Sequence, residues 1–260
     1  MVLAYVTVQF LVVAVIAEGL GWDLELSERI ATRDALVLTL LDVVPITLFA
    51  LLVAARWFDP LRVGVRAAAG SFGAGMRLLA PACLVVLGPS VLIGATADGP
   101  LLAAGMTPAR ATAFVLLASL IAISEELWFR GAVVDAAARS GGTWLPLVAS
   151  ALLFGAPHYA GDSATLLNAV AVSLAVGIPF TIVRMRVGSI WAGVVWHTAI
   201  DAWAFLHTGG VSPTGSPDPT EMLVALVLPG LVAAGYLTWF ARQTPAERRT
   251  GLAAVDARPA

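Results

Sequence analysis

Apolar stretches of membrane-crossing length recur along most of this 260-residue chain. They restrict the fold more than any motif does. About 20 residues of helix cross ~30 Å of hydrocarbon, where backbone amides have no water to bond and must pair within their own segment. A window of that length gives eight candidate helices, near residues 2–20, 35–55, 76–96, 108–130, 143–161, 164–183, 187–207 and 220–241. Gly70 to Arg77 can be read as a surface helix leading into the third, and the fourth can continue as far as Arg139. The expected fold class is all-α: a polytopic transmembrane helical bundle of about eight spans. Composition agrees, with 59% hydrophobic residues, 12% charged residues and a mean hydropathy of +0.89. The N-terminal stretch lacks the positive flank of a secretory signal and reads as the first retained span.

The arginines give an independent check of this layout. The chain contains no lysine, and all 15 positive charges are arginine. With the N-terminus inside, Arg56, Arg62, Arg66, Arg139, Arg184, Arg186, Arg242, Arg248, Arg249 and Arg258 fall on the cytoplasmic side, and Arg29, Arg33 and Arg110 fall outside. This is the positive-inside asymmetry, and an odd number of spans would spoil it. Both termini are therefore expected in the cytoplasm of a multi-pass cell-membrane protein. The 212–220 loop, rich in Pro, Gly, Ser and Thr, is expected outside and the Arg-rich tail inside. The chain divides into N-terminal helices (1–107), a polar-bearing core (108–207) and a terminal part with the last helix and tail (208–260), all one membrane domain. A net charge of -2 offers no field for nucleic acid. The single cysteine, Cys83, lies in an apolar run and reads as a small buried hydrophobe.

Against that background the polar residues inside the spans stand out. Ser124-Glu125-Glu126-Leu127-Trp128-Phe129-Arg130 sits in helix four, His158 in helix five, and His197 with Asp201 in helix seven. An ionisable group at a span centre costs about 2.5–3.5 kcal/mol even on the lenient insertion scale, so such groups are paired or kept for function. At 1.5 Å per residue, Glu125 lies ~21 Å from Arg139, His158 ~22 Å from Thr143, and Asp201 ~22 Å from Arg186. The three helices are thus expected to bring their polar groups to a common depth.

Spacing within the helices adds detail. Glu126 and Arg130 are four apart with the acid first, which predicts an ion pair and leaves Glu125, about 100° around the helix, as the free carboxylate. His197 shares a face with Asp201, and Phe154 with His158, although Pro157 distorts the helix just before that histidine. A carboxylate and an imidazole across a small cavity can hold a water and take its proton, and a second imidazole with a polar partner can stabilise an oxyanion. The same inventory, Glu125, His158 and His197, equally suits a divalent metal such as zinc with an open position for water.

Glu125-Glu126-x-x-x-Arg130, Phe154-x-x-x-His158 and His197-x-x-x-Asp201, in that order on three polar-bearing helices, resemble the three motifs of the CPBP (Abi) family. That family comprises type II CAAX prenyl endopeptidases and bacteriocin-processing or self-immunity membrane proteins. The resemblance covers residues ~108–207 and implies an intramembrane endopeptidase acting on a membrane-associated or lipid-modified peptide. It implies that Glu125 and His158 activate water and that His197 and the residue at 201 hold the oxyanion, with Glu126, Arg130 and Phe154 as structural support. The best-known eukaryotic members commonly carry Asn where this chain has Asp201. An ionised aspartate cannot donate to an oxyanion, so Asp201 reads as orienting His197, binding a metal or staying protonated. Two other classes fit the same residues: a non-catalytic scaffold or bacteriocin-immunity protein, and a proton-coupled transporter. Membrane lipid and a peptide or protein substrate are the expected partners. His207 and the tryptophans Trp57, Trp144, Trp191 and Trp239 read as interfacial residues, while Glu18, Asp42 and Asp162 suggest no chemistry.

Overall fold

Hydrocarbon leaves helix as the only open-ended way to pair every backbone amide, and every regular element among the described residues is helical. The structure is a computed structural model that describes residues 62–96, 101–140, 142–159, 163–209 and 219–252. The expected spans 2–20 and 35–55 lie outside the described residues, as do Glu18, Arg29, Arg33, Asp42, Arg56, Trp57, Asp162, Arg258 and most of the 212–220 loop.

Helix α1 is Ser71–Thr96, so the segment expected as a separate surface helix is its first turns. Pro81 supplies no amide hydrogen to the turn before it. Its missing amide would have served the Arg77 carbonyl, and the carbonyls on either side of that one accept from other helices: Met76 from Trp196 Nε1 at 3.2 Å and Leu78 from the Tyr236 hydroxyl. Cys83, one turn further on, is fully buried. Helix α2 runs unbroken over Pro108–Arg139, with a π-helical stretch, Glu126–Val133, between two α-helical parts. Thr107 caps its start, accepting from the Arg110 amide, with Pro108 at the first helical position.

Helix α3, Trp144–Gly155, passes into a single 3-10 turn, Ala156–His158, where Pro157 cannot continue the α-helical pattern. Helix α4 comprises Ser163–Val172, a π-turn Ser173–Gly177, and Ile178–Val187. It ends on Gly188, whose φ of +76° suits the left-handed cap that glycine adopts without strain. Helix α5 is Trp191–Thr208, α6 is Pro219–Arg242 and the short α7 is Pro245–Arg248. α5 packs along α2 and α1, while α3 packs against α4 and the π stretch of α2.

Among the described residues, three helices are long and apolar enough to cross a membrane: Ser71–Pro89, Pro108–Arg139 and Thr165–Val187. The expected eight spans exceed that number for physical reasons as well as coverage. α5 dilutes its 18 residues with His197, Asp201 and His207, and the apolar helix Trp144–His158 falls short of membrane length. Leucines at 84, 152 and 231 are 61–65% exposed, an outward apolar surface suited to lipid rather than water.

The end of the bundle where α2, α3 and α4 meet their connecting loops is tied by arginines. Arg248 donates to the Phe240 carbonyl at 2.8 Å, the Ala241 carbonyl at 2.7 Å and the Thr143 hydroxyl at 3.3 Å. Its guanidinium also lies over the rings of Trp144 and Phe240. Arg186 donates to the Glu247 carbonyl and the Thr250 hydroxyl, and Arg249 to the Ala138 carbonyl. On the same side, buried Asp135 pairs with Arg139 and Arg62, and buried Arg184 donates to the Arg62 carbonyl. The arginines read as topological markers are therefore also structural. Of the expected interfacial residues, Trp144 and Trp191 are exposed and Trp191 Nε1 donates to the Val65 carbonyl. Trp239 packs edge-on against Tyr236, and exposed His207 donates to the Leu101 carbonyl.

Two measurements check this packing. A Cβ at Gly155 would stand 1.8 Å from Ser173 Oγ and 2.6 Å from the Ala169 carbonyl. Gly155→Ala should therefore destabilise the α3–α4 contact by about 1–3 kcal/mol, the usual cost of overpacking, and Ser173→Ala should recover part of that loss in thermal unfolding in detergent. At α7, hydrogen bonds from the Thr244 amide and hydroxyl hold the Glu247 carboxyl below its ordinary titration range. A lowered carboxyl stabilises at neutral pH and loses that contribution as pH falls through the lowered value. Amide exchange across 245–248, corrected for intrinsic rate, should accelerate on acidification, and Glu247→Gln should remove that pH dependence.

Candidate active site

The π stretch of α2 determines how the polar residues meet. Its i→i+5 pattern is a widening that recurs at functional sites, and all eight of its residues, including Glu126 and Arg130, are buried. Arg130 is wholly buried and pairs with Glu126 at 3.0 Å, as the spacing predicted. Its guanidinium also stacks over Phe154 of α3 at 3.8 Å, lies 5.5 Å from the ring of Phe180 of α4, and donates to the Val176 carbonyl in the second π-turn at 3.2 Å. One side chain thereby links three helices.

Glu126 does more than neutralise Arg130. Its Oε1 also accepts from Nδ1 of His197 at 3.2 Å, which places a proton on Nδ1 and turns Nε2 towards the other acids. Nε2 lies 3.4 Å from Asp201 Oδ2 and 3.6 Å from Glu125 Oε2. Glu125 is clear of the Arg130 pair, as the helical geometry predicted, and the ionisable group against it is His197. The two acids facing Nε2 are about a quarter exposed, whereas Glu126 and His197 are enclosed. The cluster therefore has a closed side at Nδ1 and an open side at Nε2. It is Glu126, not Asp201, that holds Nδ1.

His158 enters from α3. The α-helix ends before it, so the Phe154 carbonyl is free to accept from His158 Nδ1 at 3.2 Å, leaving Nε2 as a bare base. Phe154 stands between the two imidazoles, with ring centroids 5.7 Å from His158 and 5.5 Å from His197. The second motif pair, Phe154 and His158, thus joins the cluster through an aromatic ring. Among the described residues, no group of three or more His, Cys, Asp or Glu side chains is arranged to hold a metal ion.

Residues 107–203 match the family model of the Rce1-like type II CAAX prenyl endopeptidases. The matched stretch contains Glu125, Glu126, Arg130, Phe154, His158, His197 and Asp201. The resemblance read from the three motifs thus holds for its CAAX endopeptidase part, and the match does not extend to bacteriocin immunity. The Rce1-like match supports CAAX-type intramembrane protease activity in general terms, and with the apolar helices it supports a membrane location. No curated protein and no solved structure matches the chain.

Sequence reasoning missed Phe180, the Val176 carbonyl and Gly193. Phe180 and Val176 carry no local sign of their role. Gly193 does: a glycine inside a helix costs about 1 kcal/mol against alanine, and this one lies four residues before His197, on its face. Removing the cation should expose the dependence of the site on it. Arg130→Met leaves the buried Glu126 carboxylate without its ion partner, so a loss of about 3–5 kcal/mol is expected. Thermal unfolding of the purified protein measures it, and Arg130→Met combined with Glu126→Gln should be the milder change.

Proposed function

We propose that this protein is a multi-pass cell-membrane endopeptidase that hydrolyses a peptide bond of a membrane-associated or lipid-modified peptide. The observation that carries the reading is the open side of the cluster, where Glu125 Oε2 and Asp201 Oδ2 face His197 Nε2 within 3.6 Å. The Rce1-like match over the same helices supports it.

In this reading a water lies between Glu125 and the bare Nε2 of His158. Glu125 takes one of its protons as the water oxygen bonds to the scissile carbonyl carbon and the C=O π electrons move to oxygen. His197 Nε2, carrying a proton, donates to that oxyanion, while Nδ1 stays fixed on Glu126. Collapse of the tetrahedral intermediate breaks the C–N bond, and Glu125 returns its proton to the leaving amine. Asp201, an acceptor when ionised, aligns the imidazole rather than donating to the oxyanion. Both termini lie in the cytoplasm, and lipid and peptide are the partners.

The test compares cellular peptide termini by terminus-enriched mass spectrometry in a deletion strain complemented with wild type, Glu125→Gln or His158→Ala at equal membrane levels. The expected result is a set of new termini that only the wild type produces, with the purified variants slower by about 10²- to 10⁴-fold on the peptide so identified. Identical termini from all three strains, with full rescue of the deletion phenotype by Glu125→Gln, would favour a scaffold instead. A variant that changes only the pH dependence of uptake would favour a carrier.

A further inference from the structure

Gly193 carries a second requirement of the cluster. It lies on α5 four residues before His197, on the same helical face. A Cβ built there would stand 2.6 Å from Glu126 Oε2, 3.1 Å from its Cδ and 3.4 Å from Phe180 Cδ2. The missing side chain is a notch in α5, filled by the Glu126 carboxylate from one side and bounded by the Phe180 ring on the other. Glu126 can back away from a methyl group placed there only by giving up contacts it now makes. Arg130 holds it at 3.0 Å, and Arg130 is itself wedged over Phe154. Phe180 is 2% exposed and packs edge-on to His197, so it cannot yield cheaply either.

We infer that Gly193 is a positioning residue: its notch seats Glu126 so that Oε1 reaches His197 Nδ1 and keeps Nε2 turned towards Glu125 and Asp201. The argument needs a second step beyond steric fit. The Glu126–Nδ1 bond is the closest polar contact of the His197 ring, 3.2 Å against 3.4 and 3.6 Å at Nε2. Displacing the carboxylate therefore releases the ring at its fixed end and leaves the looser contacts to orient it. In catalytic terms Nε2 is misplaced while the substrate-facing surface is unchanged. The consequence is a fall in kcat with little change in KM, since a misplacement of about 1 Å at a reacting group can cost on the order of 10²-fold.

The inference rests on the peptidase reading only for its kinetic arm. The chain has three histidines, so 15N-histidine NMR of the detergent-solubilised protein can follow each ring, with the His197 signals assigned by their loss in His197→Ala. In the wild type the Nδ1 proton of His197 should be slow to exchange. In Gly193→Ala it should exchange rapidly, whereas Gly230→Ala, where a Cβ meets nothing within 4 Å, should leave it as in wild type. On a peptide cleaved by the wild type, Gly193→Ala should lower kcat by about 10²-fold at near-constant KM. An unchanged His197 signal in Gly193→Ala overturns the inference whatever the activity does, and so does a displaced signal with wild-type kcat. If the wild type cleaves nothing, the peptidase reading fails and the NMR arm alone decides about Gly193. Should Gly193→Ala not accumulate, Gly193→Ala with Glu126→Asp provides the second test, because the acid shorter by one methylene clears the methyl. The double variant should return to the membrane with the His197 ring still released, and its failure to return would show that the clash is not with Glu126 and overturn the assignment.

Discussion

A salt bridge with almost no access to water is the constraint from which the rest of this bundle follows. Arg130 and Glu126 are 0% and 1% exposed, and transferring each ion out of water costs several kcal/mol even after relaxation. Coulomb attraction alone does not reliably repay that cost, so the pair needs further partners. The structure supplies them from three other helices: the Phe154 face from α3, the Phe180 ring and Val176 carbonyl from α4, and the His197 imidazole from α5. Each contact that lowers the cost of burying the charges also fixes a helix at one height. The site geometry is therefore a by-product of solvating an ion pair with protein instead of water.

The far end of the bundle works by the same logic with less burial. Helices that stop there leave carbonyls unpaired, and the guanidinium groups of Arg248, Arg249 and Arg184 donate to carbonyls of Phe240, Ala241, Ala138 and Arg62. Arginine suits this work because its planar fork donates in several directions at once while stacking on rings such as Trp144 and Phe240. A chain with no lysine has thus placed its positive charges where their geometry, as well as their sign, is used.

Much of this was legible in the sequence because it depends on local spacing. The membrane class, the helices from Pro108 onwards, the Glu126–Arg130 pair and the separation of Glu125 from it all follow from apolar runs and i,i+4 positions. Common depth could be counted from the loops, and His197, Glu125 and Asp201 do meet. What could not be read is whatever depends on which helices face each other. Glu126 was expected to be spent on Arg130, yet the fold brings His197 Nδ1 to its other lone pairs. The two π-turns have no residue signature, because Glu126–Val133 and Ser173–Gly177 use ordinary helix-compatible residues. In α5 the residues that carry chemistry are also those that lower its hydropathy.

The π stretch of α2 also has a meaning for periodicity. It accommodates extra chain within a continuous helix, so the part after Val133 is out of phase with the part before Glu125 when counted at 3.6 residues per turn. The first part presents Glu125 to His197, whereas the second presents Asp135 to Arg62 and Arg139. One helix thereby serves two polar centres on bearings that a uniform helical wheel would not reconcile. Deleting a single residue within 126–133 would remove that extra chain and leave the two centres on nearly their present bearings, whereas a deletion in a regular α-helical part of α2 would swing one past the other by about 100°. In α2 length is a coordinate of angle everywhere except in the π stretch, which is the one part of this helix where a residue can be lost with both ends still aimed as they are.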